Sequence, residues 1–77
     1  MPKIFSGRGV INILSRRFGF YFVSQKGSHV KLRRKTGGKV FTTVVPLHKE
    51  LAPGTLRGVL KLAGIEEGDF FKTARLK

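Results

Sequence analysis

Two histidines, His29 and His48, are the side chains in this sequence best suited to moving protons near neutral pH, since imidazole ordinarily titrates at about 6.5. His29 is the sharper candidate. It lies in the run Lys26-Gly27-Ser28-His29-Val30-Lys31-Leu32-Arg33, where strand alternation places His29, Lys31 and Arg33 on one face and Val30 and Leu32 on the other. Cutting a phosphodiester beside a 2′-hydroxyl without a metal takes three things: a base for the hydroxyl proton, an acid for the leaving oxygen, and fixed positive charge for the phosphorane. A histidine among lysines and arginines supplies two of these parts. On spacing alone, a strand histidine is more often an exposed polar residue or an RNA-contacting donor than a catalyst, and both readings stand at this point. His48, in Val45-Pro46-Leu47-His48, is read either as a structural hydrogen-bonding group or cap, or as a second acid–base partner.

The acidic residues are few. Four Asp and Glu, three of them gathered at Glu66, Glu67 and Asp69, are too sparse for a two-metal nuclease site, and the cluster reads as the solvated start of a helix. With no cysteine there is no thiolate zinc site, disulfide framework or Cys nucleophile. No P-loop, HExxH, GxSxG or DNA-binding zinc pattern occurs either, so neither metal nor cofactor is expected. Sixteen Lys and Arg leave a formal charge of +12, which calls for an unlike-charged partner. A nucleic acid is the natural choice, bound in a salt-sensitive way because each phosphate contact releases counterions. An anionic membrane surface is the rival reading. Met1-Pro2-Lys3-Ile4-Phe5 lacks the apolar run of a signal peptide, and no stretch approaches the roughly 18 to 20 apolar residues of a membrane span, so a cytoplasmic location is expected.

The elements that must position these groups follow from periodicity. Seventy-seven residues allow one domain with one small core, and 40% hydrophobic content with seven phenylalanines argues for a folded chain. From Ser6 to Phe18, Val10, Ile11, Leu14 and Phe18 fall on one helical stripe, with Ser6 as N-cap and Gly19 as stop signal. Gly7 and Gly9 weaken the first turn and predict a late or frayed start. Phe20 to Gln25, Ser28 to Arg34 and Val40 to Val45 read as strands joined by turns at Lys26-Gly27 and Thr36-Gly37-Gly38-Lys39, a three-stranded antiparallel meander. Phe20 is expected in the core, whereas Tyr21 is left open between core and base stacking. After a linker from Leu47 to Ala52, Pro53 opens a helix carrying Leu56, Val59, Leu60 and Ala63, which Gly64 ends. Ile65 to Phe71 adds a short turn or helix before a basic tail of Lys72, Arg75 and Lys77. The expectation is an α+β domain spanning residues 1–77, ordered α-β-β-β-α, with two helices on one face of the sheet and the other face left for a partner.

Several of these segments resemble, in order and spacing, the HicA family of toxins: Gly19-Phe20, Gln25-Lys26-Gly27-Ser28-His29-Val30, Val45-Pro46-Leu47-His48, and Gly54-Thr55-Leu56-Arg57 through Leu60 to Ala63-Gly64-Ile65. The resemblance covers about residues 6 to 70, and its most specific part is Gly-Ser-His after the first strand combined with Gly-Thr-Leu-Arg opening the last helix. It implies a double-stranded-RNA-binding-like fold, endoribonuclease action on messenger RNA, a catalytic histidine at His29, no bound metal, and a HicB-like antitoxin that covers the histidine. Arg8-Gly9 departs from the family's pattern, and the tail from Thr73 to Lys77 has no counterpart in it. With the resemblance included, Lys26, Ser28, Lys31 and Arg33 are the expected RNA-binding residues around His29. The competing readings are a non-catalytic RNA-binding module of the same fold and a subunit that acts only by occupying its protein partner.

Overall fold

The computed structural model describes residues 4–75, in the order α1 (Gly7–Arg17), β1 (Tyr21–Lys26), β2 (His29–Thr36), β3 (Lys39–Pro46), α2 (Pro53–Ala63) and α3 (Glu67–Arg75). Met1 to Lys3, and Lys77 of the expected basic tail, lie outside the described residues.

The expected late start of α1 does not occur. Ser6 caps the helix, its hydroxyl oxygen accepting from the Gly9 amide at 2.9 Å, and the first helical residue is Gly7. A glycine at that position solves a packing problem. The Gly7 amide donates to the His48 carbonyl at 2.9 Å, and a Cβ on Gly7 would run into the Pro46 carbonyl. The helix gives up some intrinsic propensity there so that its first turn can touch the chain leaving β3.

Turn chemistry fixes the sheet. Gly27 has φ +58° and Ser28 does not have positive φ, the arrangement of a type II′ hairpin, whereas Gly37 (φ +56°) and Gly38 (φ +76°) together make type I′. Both turns match the right-handed twist of paired strands, so β1, β2 and β3 form an antiparallel sheet with β2 in the centre. The β2–β3 register is regular from His29↔Pro46 to Thr36↔Lys39. The β1–β2 register runs Lys26↔His29, Gln25↔Val30, Ser24↔Lys31, then shifts at a bulge before Phe22↔Leu32 and Tyr21↔Arg33.

One sheet face carries the core. Val30, Leu32 and Val45 pack with Val10 and Leu14 of α1, with Leu56, Val59, Leu60 and Ala63 of α2, and with Phe20, all buried. Burial of Phe20 agrees with its expected place. Thr43 is also fully buried, and its hydroxyl donates to the Val59 carbonyl at 2.8 Å, tying β3 to α2.

The end of the chain is more regular than its composition predicts. Residues expected to form a short turn or helix make the nine-residue α3, whose Phe70 is completely buried. Its ring meets Phe5 edge-on at 5.3 Å and stacks on Phe18 at 6.4 Å. The order is therefore α-β-β-β-α-α. Glu67 opens α3 and pairs with Arg57 of α2 at 3.3 Å, while Asp69 adds a second carboxylate to the first turn. The acidic cluster is thus the start of a helix, as expected.

Candidate functional site

Residues directly opposite in an antiparallel pair share a face, so the register lays out the uncovered side of the sheet row by row. The first row is Lys26, His29 and Pro46, the second Ser24, Lys31 and Val44, and the third Tyr21, Arg33 and Thr42. The sequence-chosen cations Lys26, Lys31 and Arg33 therefore lie on the same face as His29. Lys26, His29 and Lys31 are exposed and Arg33 is half-buried.

Local bonds hold this corner in place. The Gln25 side-chain amide donates to the Gly27 carbonyl at 3.0 Å, bracing the turn that leads into His29. Ser28 is exposed in that turn, and its carbonyl accepts from the Leu47 amide at 2.7 Å. With the Gly7–His48 bond, this ties the first hairpin, the end of β3 and the start of α1 together around His29. Arg33 donates from Nε to the Thr42 hydroxyl at 3.1 Å across the β2–β3 pair, which uses one of its five donors. His48 is exposed in the loop two residues past Pro46, and its described bond is made by its carbonyl rather than its ring.

Two further cations stand next to this run, Lys35 on the same face because β2 runs on to Thr36, and Arg34 on the other. Lys35 extends the row of His29, Lys31 and Arg33 by one more exposed side chain. Arg34 points to the opposite side, where its guanidinium carbon lies 5.2 Å from the Phe20 ring centroid and 5.3 Å from that of Phe41. Its Nη1 also donates to the Phe18 carbonyl at 3.2 Å, placing a cation at the negative end of α1. Arg34 is a structural cation.

An apolar groove lined by Phe5, Leu51, Pro53, Leu56 and Phe71 opens elsewhere, between the N-terminal segment and the helices, and none of the sequence-chosen site residues lines it. Among the described residues, no three His, Asp or Glu side chains gather closely enough to hold a metal ion. Among the same residues, no helix is long and apolar enough to cross a membrane.

A three-stranded antiparallel sheet, covered by helices on one side and open and basic on the other, defines an α+β domain of double-stranded-RNA-binding-like architecture. The family model described as the HicA toxin of bacterial toxin–antitoxin systems matches residues 7–65, from the first residue of α1 to the approach to α3. The chain belongs to the HicA toxin family, which makes it the toxin member of a toxin–antitoxin pair. No curated protein matches it.

Proposed function

We propose that this toxin is a metal-independent endoribonuclease that cuts messenger RNA, with His29 as its catalytic residue. The observation that carries the reading is the first row of the open face, where His29 is exposed, braced by the hairpin and set directly across from Lys26, with Lys31 and Arg33 continuing the cationic strip. His29 acts as general base toward the 2′-hydroxyl or as general acid toward the leaving 5′-oxygen. Attack of the 2′-oxygen forms a new P–O bond as the P–O5′ bond breaks, and the departing oxygen takes a proton. Lys26, Lys31 and Arg33 hold phosphates and offset the negative charge gathering on the phosphorus oxygens. Ser28 orients the substrate from the turn through its hydroxyl or its backbone. A HicB-like antitoxin restrains the protein by covering the same face in the cytoplasm, its acidity complementing the +12 charge.

One observation favours the rival reading of a non-catalytic RNA-binding module: His29 is the one imidazole in the three rows, whereas the reaction moves two protons. Lys26, its cross-strand partner, is the second proton-carrying group that the register offers. Inducing wild-type and His29→Ala proteins in a bacterial host, while following growth and the integrity of a chosen messenger, decides between them. Wild type is expected to arrest growth with fragmented message. His29→Ala is expected to do neither, while the purified variant keeps its melting temperature and most of its RNA affinity. Equal arrest by both proteins, or arrest without fragmentation, would remove His29 from the catalytic role.

A further inference from the structure

The bulge in β1 has a directional effect. Counting back from Lys26 on the open face, simple alternation puts Ser24 and Phe22 on that face and sends Tyr21 to the helix side. The register instead omits Val23, pairing Ser24 with Lys31 and then Phe22 with Leu32, so Tyr21 comes to lie opposite Arg33 on the face of His29. Bulges beside functional sites often re-aim a side chain in this way. Tyr21 is 44% exposed, and its ring meets no other ring among the described residues. Its neighbours in the row are Arg33, hydrogen-bonded to Thr42, and Thr42 itself.

An aromatic ring left exposed on an open sheet face, with a guanidinium beside it and cations along the adjacent strand, has the makeup of a base-stacking subsite. We infer that Tyr21 stacks on an unpaired base of single-stranded RNA whose backbone follows Lys31, Arg33 and Lys35. Arg33 lies four residues along β2 from His29, roughly 13 Å at strand rise. At about 3.4 Å per stacked nucleotide, and up to about twice that when extended, the stacked base stands roughly two to four nucleotides from the phosphate at His29. Along its length a duplex presents no free base face to this ring, so the subsite favours unpaired RNA. The occupant is assigned by charge complementarity with the strip of cations, and the inference rests on the open face being an RNA surface, as proposed above.

The sequence supplies its own probe. The chain has one tyrosine and no tryptophan, so its intrinsic fluorescence reports on Tyr21. The experiment titrates full-length wild type and His29→Ala with a 2′-O-methyl oligouridine of about ten nucleotides, which has no free 2′-hydroxyl to attack, and follows both tyrosine emission and probe anisotropy. Saturable quenching in both proteins is expected, with far weaker quenching at equal nucleotide concentration from a long loop-free RNA duplex, whose two ends are its few free base faces. Tyr21→Ala should bind the oligonucleotide at least about fivefold more weakly with an unchanged melting temperature, and Tyr21→Phe within about twofold of wild type. Binding without quenching, equal affinity of Tyr21→Ala, or equal quenching by the duplex each overturns the stacking subsite. Quenching by an acidic polypeptide such as polyglutamate but not by the oligonucleotide overturns it in favour of a protein contact. Quenching without cleavage of a full-length messenger RNA leaves the subsite standing and sinks the ribonuclease reading. No binding in either channel sinks both.

Discussion

At the first hairpin, reactivity and fold stability are assigned to different residues. His29 is exposed and makes none of the described side-chain bonds, so its replacement is expected to leave folding intact and to act only on the proposed chemistry. Gly7, two elements earlier in the chain, is the reverse case. A Cβ there collides with the Pro46 backbone, which cannot yield as a flexible side chain would, whereas a Cβ on Gly27 meets nothing and is opposed only by the positive φ. Gly7→Ala is expected to cost about 2 kcal/mol or more, lowering the melting temperature by roughly 8 to 16 °C, and Gly27→Ala about 1 kcal/mol. Thermal unfolding followed by circular dichroism checks the order, which reverses if glycine is needed at position 7 only for helix initiation. The strip of His29, Lys31 and Arg33 was readable in the sequence because alternation along one strand is a local property. The place of Tyr21 was not, since it depends on a bulge, and a one-residue shift in register moves a side chain to the other face. Arg34 likewise looks like one more surface cation until the positions of Phe20 and Phe41 are known.

The five elements expected from periodicity and turn residues all form, with ends within about two residues of those expected, the usual latitude of helix and strand limits. Pro53 at the first turn and Gly64 in the left-handed conformation (φ +71°) mark α2 as the sequence suggests. α3 was the hardest element to read because its stripe is short, with Phe70 and Ala74 as its buried residues, and Gly68 lowers its helix propensity. Its contribution comes from tertiary contacts, where Phe70 fills the space between Phe5 and Phe18. The family match stops at residue 65, yet this chain uses α3 to close its core. Phe70→Ala should therefore cost about 3 to 5 kcal/mol, a large part of the stability of a domain this small. A urea midpoint close to that of wild type would show that α3 is an appendage.

At the scale of the molecule, charge sets the salt dependence expected of the open face. Among the described residues Arg57 has a carboxylate partner, and Lys26, Lys31, Arg33 and Lys35 line the face of His29. Single-strand RNA binding should weaken steeply with salt, each neutralised phosphate contributing about 0.7 to the log–log slope. Replacing Lys31 and Arg33 together by alanine should flatten that slope by about 1.4, and an unchanged slope would place the RNA elsewhere on the molecule. The same face has a second consequence. His29 stands on the central strand, hydrogen-bonded on both sides, with its side chain exposed as folded and no described segment lying over it. Nothing in the described chain must unlatch before the face can work. On the proposed reading restraint comes from the antitoxin, one molecule at a time, so activity in the cell becomes a matter of stoichiometry: the toxin acts in proportion to its excess over the partner that covers this face.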